Sequence, residues 1–283
     1  MVGFMNFDRF VIDVEQYRSR EHLAACLGVI DLTSLNATDT YVTIEEMARK
    51  VNVFSECYPG VRNVAAVCVY PVFAGLLRKK LTAKGVNIAV TGAGFPASQT
   101  FLKVKVQECR MAVEEGADEV DIVLSLNHFL SGAYNRAADE IGAIKEAIGH
   151  AHLKVIIESG ALHGIESGAL HGVEAIAHAS RIAMEAGADF IKTSTGKSEP
   201  AATPEAAVVM CGEILKHYQK RGKRIGFKPA GGIVTPKDAL TYYAIVHHIL
   251  GPEWLTPTLF RIGASRLANN LLSEILGTPT LYF

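Results

Sequence analysis

Eight short runs of aromatic and β-branched residues alternate with helical patterns along this chain, and each run has the length of a buried strand. The predicted strands span Gly28–Leu32, Ala65–Tyr70, Asn87–Thr91, Glu119–Leu124, Lys154–Glu158, Phe190–Ser194, Ile225–Lys228 and Leu259–Gly263. Eight strand–helix units, with no linker between halves, predict that residues 1–283 form one domain with a (β/α)8 barrel fold. A doubly wound sheet is the alternative, but Asp31-Leu32-Thr33 is not the Gly-x-Gly-x-x-Gly turn that usually follows its first strand.

The helices between the strands have their own signals. Thr203-Pro204 and Thr235-Pro236 each read as an N-cap followed by proline at the first helical position. Apolar residues recur at helical spacing from Leu102 to Val113 and predict one buried face there. An amphipathic helix near Phe10–Cys26 is expected within an N-terminal capping segment, residues 1–26, and the C-terminal tail, 277–283, is expected to be disordered.

Composition narrows the class of partner. The chain is 49% hydrophobic and has a formal net charge of −1 without basic clusters, which argues against nucleic acid. Its five cysteines are scattered and include no Cys-x-x-Cys pair, as expected for reduced thiols in the cytoplasm. Met1–Arg20 contains neither a signal-peptide core nor a bilayer-spanning stretch, so we expect a soluble protein without a membrane partner.

Lys192 is out of place in the predicted strand that starts at Phe190, because burying an ammonium group is costly unless the charge is paired. The strand stops at Thr195-Gly196-Lys197, a polar turn whose backbone N–H groups can face an anion. Together these features suggest amine chemistry on a phosphorylated substrate. For a lone lysine in a strand, however, a buried salt bridge is the commoner explanation.

A second lysine and a carboxylate favour chemistry over structure. Lys228 lies on the predicted seventh strand, next to the sixth, and a second buried ammonium would lower the pKa of a nucleophilic amine. The segment Glu115–Asp121 aligns with Ala186–Lys192, so Asp121 falls where Lys192 falls, on alternate strands that share a layer of the barrel. Asp121 is predicted to handle protons, to act as a counter-ion for both lysines, or to do both.

Glycine-rich loops after the last two strands predict a phosphate site. Gly231-Gly232 and Gly263-Ala264-Ser265 stand where this barrel often binds phosphate through backbone N–H groups and a helix N-terminus. Gly196 and Lys197 would close the third side. Asp31, placed at the end of the first strand, is expected to face the catalytic mouth as a substrate-hydroxyl acceptor or as a turn residue.

A tandem repeat follows the fifth strand: Glu158–Ile165 recurs as Glu166–Val173 with only the last residue changed. A duplication tolerated in a surface loop is the favoured interpretation, and a gated lid is the alternative. The duplication alone explains His163 and His171, which could otherwise suggest metal ligands. No set of ligands converges at the predicted mouth, so neither a metal nor another cofactor is expected.

Motifs throughout the chain closely resemble the deoxyribose-phosphate aldolase family. They are Asp31-Leu32-Thr33, Cys68-Val69-Tyr70-Pro71, Gly116–Asp121, Lys154–Glu158, Gly187–Lys197, Gly226–Gly232 and Arg261-Ile262-Gly263-Ala264-Ser265. The resemblance extends over nearly the whole chain from about Cys26. It implies a metal-independent class I aldolase on a (β/α)8 barrel that reversibly cleaves 2-deoxy-D-ribose 5-phosphate to acetaldehyde and D-glyceraldehyde 3-phosphate. Its partners would be sugar phosphates and aldehydes, and a homodimer is a fold-level expectation.

The resemblance also implies roles for individual residues. Lys192 is similar to the Schiff-base lysine, Lys228 to the partner that lowers its pKa, and Asp121 to the residue that relays protons through water. The positions that match the surroundings of the phosphate are Gly196, Lys197, Gly231, Gly232, Gly263 and Ser265.

Three features depart from the family pattern. Arg266 replaces a small polar residue beside the phosphate and could change phosphate dependence in either direction. The repeat lengthens the loop after the fifth strand. Family members often have a tyrosine on the C-terminal tail that reaches the site, and Tyr282 is the sole candidate here. Two other functions stay open: another Schiff-base or transaldolase-like barrel lyase, and a sugar-phosphate-binding paralogue without catalysis.

Overall fold

Eight parallel strands form a barrel in the computed structural model, which describes residues 13–163 and 172–283. The strands are β1 (Ile30–Thr33), β2 (Ala66–Val69), β3 (Asn87–Thr91), β4 (Glu119–Val123), β5 (His152–Ile156), β6 (Phe190–Lys192), β7 (Gly226–Lys228) and β8 (Ile262–Ala264). They pair in the order β7-β6-β5-β4-β3-β2-β1-β8. Parallel bridges between Phe227 and Phe260 and between Ala230 and Gly263 join the two ends of this order and close the barrel.

This architecture confirms the predicted (β/α)8 barrel. Each predicted strand is present, with ends that differ by no more than three residues, because extended chain continues beyond the last ladder hydrogen bond. The largest difference is at the eighth strand, which starts at Ile262 rather than Leu259, and the fifth strand starts at His152 rather than Lys154. An open doubly wound sheet is excluded by the closing bridges.

Helices follow the strands and cover the outside of the barrel. They are α1 (Arg20–Leu27), α2 (Tyr41–Cys57), α3 (Ala74–Lys80), α4 (Leu102–Glu114), α5 (Leu126–Leu130), α6 (Tyr134–Ile148), α7 (Ser159–His163), α8 (Gly172–Glu185), α9 (Pro204–Arg221), α10 (Pro236–Leu250) and α11 (Leu267–Leu276). Short 3-10 turns occupy Val14–Tyr17, Pro71–Phe73 and Pro252–Trp254. No helix in the described part of the chain is long and apolar enough to cross a membrane.

Side-chain caps fix several helix starts. The hydroxyl of Thr203 accepts a hydrogen bond from Ala206 N–H, and Thr235 forms a reciprocal capping box with Asp238, with proline at the first helical position in both cases. Both predicted starts are therefore confirmed. The predicted face of α4 is partly wrong: Leu102 is exposed, whereas Lys105 is buried because Glu140 and Ser125 bind its ammonium group.

The chain segments flanking the barrel pack against its helices. The Tyr17 hydroxyl lies 3.0 Å from His247 Nδ1 on α10, so the segment before α1 covers that helix. Of the predicted Phe10–Cys26 helix, only Arg20–Leu27 is helical among the described residues, since Val14–Tyr17 forms a 3-10 turn.

The expectation of a disordered tail is wrong. The Tyr282 hydroxyl donates to Lys50 O at 2.7 Å, and its N–H donates to Asn269 Oδ1 at 2.8 Å. This holds the tail against α2 and α11.

The two faces of β4 have opposite chemistry. On β4, Val120 and Ile122 face the apolar layer beneath the helices, whereas Glu119 and Asp121 project into the barrel, as the two-residue period of a strand requires. The apolar layer is continuous around the barrel and includes residues of both strands and helices. The interior is thus the place where buried charge concentrates.

Candidate active site

Lys192 lies at the carboxyl end of β6 and lines a cavity of about 380 Å³ at the top of the barrel. Only 3% of the residue is exposed, and its Nζ lies 2.8 Å from Asp121 Oδ2. In strand register, Asp121 is level with Lys154 on β5 and with Phe190 on β6, two residues before Lys192. The lysine side chain spans this offset, so the predicted proximity of the two residues extends to direct contact.

Asp121 is surrounded by three lysines. Its Oδ2 contacts Lys192 Nζ at 2.8 Å and Lys228 Nζ at 2.7 Å, and its Oδ1 contacts Lys154 Nζ at 3.1 Å. All four residues are buried. These ammonium groups hold the pKa of Asp121 well below its usual range, although burial acts in the opposite direction. Asp121 is therefore a carboxylate at neutral pH and serves as the common acceptor.

A second layer of charge fixes this arrangement from below. The Arg261 guanidinium donates to Asp31 Oδ1 at 2.6 Å and to Glu119 Oε1 at 2.7 Å. Glu119 also forms an ion pair with Lys154, and Asp31 pairs with Lys228 at 2.5 Å. Planar guanidinium groups suit such paired carboxylate contacts. These contacts join the buried charged residues inside the barrel into one connected cluster, made up of Asp31, Glu119, Asp121, Lys154, Lys192, Lys228 and Arg261.

The two predicted lysines have opposite electrostatic character. Burial lowers the pKa of Lys192; the Asp121 carboxylate opposes this shift, and the Lys228 ammonium adds to it. For Lys228, burial is outweighed by Asp121 and Asp31, which raise its pKa above the ordinary value. Neighbouring carboxylates raise the pKa of Lys154 in the same way, against the effect of burial. Lys192 is thus the amine of the cluster that most readily gives up its proton.

The charge balance of the cluster also favours a neutral Lys192. The cluster contains four basic groups (Lys154, Lys192, Lys228 and Arg261) and three carboxylates (Asp31, Glu119 and Asp121). When Lys192 is protonated, the core has one uncompensated positive charge in a poorly hydrated interior. Loss of the Lys192 proton balances the charges, and burying an unbalanced charge is costly. Lys192 is also the one of these seven residues that borders the cavity.

The cavity walls contain all of the loop residues singled out as an anion site: Thr195, Gly196, Lys197, Gly231, Gly232, Gly263 and Ser265. The left-handed backbone of Gly231 (φ +86°) explains one of these glycines, since a Cβ there would also lie 2.6 Å from the Ala201 side chain. A Cβ on Gly263 would lie 2.8 Å from Ala230 Cβ, where β7 and β8 meet. Close packing of the two loops thus requires residues without side chains.

Thr195 is a supporting residue rather than a free donor. Its N–H and its hydroxyl both donate to the Glu158 carboxylate, at 3.2 Å and 2.8 Å, and its Oγ1 accepts the Lys197 N–H at 3.1 Å. The Lys197 ammonium donates to Leu35 O at 2.5 Å, on the loop after β1. The predicted turn is therefore present, and Gly196 and Lys197 line the cavity, but the Thr195 donors and the Lys197 N–H are used within the protein.

Two expectations about the mouth need correction or qualification. Asp31 lies within β1 rather than at its end, is fully buried and does not line the cavity, because Lys228 and Arg261 hold its carboxylate inside the barrel. Tyr282 does not line the cavity either. Arg266 does line it, has an exposed side chain and precedes α11.

Among the described residues, no cluster of three or more His, Cys, Asp or Glu side chains could hold a metal ion.

Sequence reasoning missed Lys154, Glu119 and Arg261 as parts of the site. The signal for Lys154 was present, since it is a lysine within an apolar strand, as Lys192 and Lys228 are. Glu119 stands two residues before Asp121 and so shares its inward face. Half of the repeated segment, including His171, lies outside the described residues; the structure describes Glu158 to His163 of the first copy and Gly172 and Val173 of the second.

Comparison with known proteins identifies the family of this chain. Residues 26–245 match the model of the DeoC/LacD family of aldolases. A deoxyribose-phosphate aldolase from Homo sapiens is 44% identical over 267 residues, which cover 89% of this chain and 80% of the human protein. The corresponding values for the Mus musculus enzyme are 40%, 263 residues, 89% and 80%.

A solved structure shares the architecture. The deoxyribose phosphate aldolase from Aeropyrum pernix, described as tetrameric, superposes with a TM-score of 0.65 at 25% identity, over 92% of this chain and 96% of that one. The fold, the buried lysine cluster at the carboxyl ends of the strands and the extent of the family match thus lead to one assignment. The chain belongs to the DeoC/LacD family of aldolases.

Proposed function

We propose that this aldolase cleaves 2-deoxy-D-ribose 5-phosphate to acetaldehyde and D-glyceraldehyde 3-phosphate through a Schiff base on Lys192. The observation that carries the proposal is the position of Lys192: it is the amine in the buried cluster that borders the cavity, and its pKa is lowered. A neutral amine is the nucleophile that attacks a carbonyl group. The names of the mammalian relatives support the choice of substrate.

In the proposed mechanism, Lys192 Nζ attacks the C1 aldehyde of the open-chain sugar to form a carbinolamine. Loss of water gives an iminium ion, which accepts the electron pair of the C2–C3 bond when the C3 hydroxyl loses its proton. D-Glyceraldehyde 3-phosphate leaves, and an enamine remains on Lys192. Protonation at C2 and hydrolysis then release acetaldehyde and restore the amine.

Asp121 and Lys228 support these proton movements. Because its pKa is well below the usual range, Asp121 remains ionised, accepts hydrogen bonds from the amine and can stabilise the iminium charge that develops 2.8 Å away. Lys228, whose pKa is raised, remains an ammonium and disfavours a second positive charge on the free enzyme. The proton relay through Asp121 would involve water, since its two oxygens already contact lysines.

The phosphate would bind at the opposite wall of the cavity. Gly196, Gly231, Gly232 and Ser265 offer backbone donors there, and Lys197 and Arg266 supply positive charge. The cavity volume of about 380 Å³ lies in the range of small-ligand sites. No cofactor takes part in the proposed reaction.

We also propose a cytoplasmic homodimer. The five cysteines are unpaired, as is usual in a reducing compartment. Exposed apolar side chains form a surface suited to self-association. They include Val42 on α2, Val72 in the 3-10 turn Pro71–Phe73 and Val104 on α4. Light scattering coupled to size-exclusion chromatography would measure the mass directly, and a monomeric mass at micromolar concentration would refute the dimer.

Borohydride reduction in the presence of acetaldehyde tests the mechanism. Peptide mass mapping should locate an ethyl adduct on Lys192, and Lys192→Met should abolish it. Lys105→Met is a matched control, because Lys105 is equally buried but lies outside the barrel, bound to Glu140 and Ser125. An adduct on Lys228 would reverse the roles of the two lysines.

Absence of any adduct in a folded protein would refute the Schiff base and favour the binding paralogue. A donor screen separates the remaining alternative: acetaldehyde should be accepted, whereas a transaldolase-like lyase would prefer a longer ketose phosphate as donor.

A further inference from the structure

Glu158 has an unusual backbone and an unusual set of partners. It lies two residues after the end of β5, is 5% exposed and has a φ of +52°, a left-handed conformation that residues other than glycine rarely adopt. Its two carboxylate oxygens accept the Thr195 N–H and the Thr195 hydroxyl, at 3.2 Å and 2.8 Å. An outlier that the surrounding structure maintains is a reason to look for a functional role.

Glu158 and Ser159 form hydrogen bonds with the chain segment that follows β6. The Ser159 N–H donates to Thr193 O at 2.8 Å, so the chain on both sides of the carboxylate follows the segment after β6. Thr195 Oγ1 in turn accepts the Lys197 N–H at 3.1 Å. The carboxylate therefore fixes, through Thr195, the backbone of the whole Thr195–Lys197 turn, which begins three residues after Lys192.

That turn forms one wall of the cavity. A Cβ on Gly196 would lie 3.5 Å from Gly231 Cα, so the two glycine loops are in contact at the place where the phosphate is proposed to bind. Among the described residues, Glu158 forms no ion pair, and its carboxylate is used for the Thr195 donors. A purely structural counter-ion would face a cation instead.

We propose that Glu158 is a positioning residue that holds the Thr195–Lys197 turn in the geometry needed to bind the phosphate of the substrate. The inference rests on the proposed function, which it deepens: Glu158 acts on phosphate binding and leaves the chemistry of Lys192 unchanged. Loss of the carboxylate would release Thr195 and allow Gly196 and Lys197 to leave the position that faces Gly231.

The test separates binding from chemistry. In Glu158→Gln, the KM for 2-deoxyribose 5-phosphate and the inhibition constant of inorganic phosphate should both rise by about tenfold, the effect expected for one or two lost hydrogen bonds. The kcat and the cleavage of unphosphorylated 2-deoxyribose should stay close to those of the parent enzyme. Glu114→Gln, an exposed change at the end of α4, is the matched control.

Variants of Thr195 provide a second test of the positioning role of Glu158. Thr195→Val should reproduce the rise in KM, and Thr195→Ser, which restores the hydroxyl, should reverse most of it. Because Glu166 has the same place in the second copy of the repeat, the double variant Glu158→Gln/Glu166→Gln is measured as well. It should behave as the single variant does.

The outcomes are distinguishable from failure of the proposed function. If the parent enzyme traps acetaldehyde on Lys192 but Glu158→Gln and Thr195→Val keep the parent KM, the positioning role is refuted. A parallel loss of kcat, trapping and phosphate affinity in folded variants would also refute it, since that pattern indicates general support of the barrel. If the parent enzyme itself fails to trap acetaldehyde, the proposed function fails first.

Discussion

Replacing Lys228 by methionine removes one ammonium group from the cluster and keeps a side chain of similar length. In the parent protein this charge disfavours protonation of Lys192 and also shares the Asp121 carboxylate with it. Without Lys228, Lys192 gains the whole attraction of Asp121 and loses the repulsion. Both changes favour the protonated, non-nucleophilic form, so the pKa of Lys192 should rise.

The geometry sets the size of the effect. Both ammonium nitrogens contact Asp121 Oδ2, at 2.8 Å and 2.7 Å, so they are at most 5.5 Å apart, the two distances laid end to end. Two unit charges at this separation repel by about 3 kcal/mol at an effective dielectric constant of about 20. This corresponds to about a hundredfold less neutral amine near pH 7 in Lys228→Met.

The rate of borohydride trapping with acetaldehyde, measured against pH, reports the neutral fraction of Lys192 directly. We expect trapping in Lys228→Met to be about a hundredfold slower near neutral pH and to recover as the pH is raised. Lys105→Met serves again as the control, since it removes a buried lysine without changing the barrel charges. Circular dichroism confirms that each variant is folded.

A folded Lys228→Met enzyme with the parent pH profile would refute the electrostatic role of Lys228. A rate that is low at every pH would refute it as well, because that result would give Lys228 a direct part in the chemistry. Only a profile displaced toward alkaline pH agrees with the argument.

Four further results are expected. Glu119→Gln leaves Arg261 and Lys154 short of a carboxylate and should lower the free energy of unfolding in urea by about 3–5 kcal/mol. The pKa values of the three core carboxylates lie below their ordinary values, so their stabilisation is present above about pH 4 and is lost as the pH falls further; urea titrations that weaken already between pH 7 and pH 5 would contradict this. Arg266→Ser should raise the KM for the phosphorylated sugar and leave that for 2-deoxyribose unchanged, and an equal rise for both would exclude a phosphate contact. Deletion of residues 166–173 should leave kcat/KM unchanged if the repeat is a tolerated duplication, and a large loss would favour a lid.

Local patterns in the chain were enough to predict the barrel. Strand runs at regular spacing and Thr-Pro helix starts are short-range signals, and they located every strand and two of the helix caps. The misplaced lysines Lys192 and Lys228 were visible for the same reason, since a charged residue in an apolar strand contradicts its neighbours. The errors at α4 and in the tail have a different origin, because the groups that bind Lys105 and Tyr282 are distant in sequence.

By itself, the sequence determined which residues face the barrel interior, because strand periodicity is a property of the local chain. The tertiary structure alone decided which charges meet there. Arg261, near the end of the chain, binds Asp31, near its beginning, and Asp31 is therefore buried inside the barrel instead of lining the cavity. The pKa of Lys192 is lowered because the barrel buries its side chain, whereas the nearby carboxylates raise the pKa of Lys228. This balance of charges exists only after distant strands have closed into a ring.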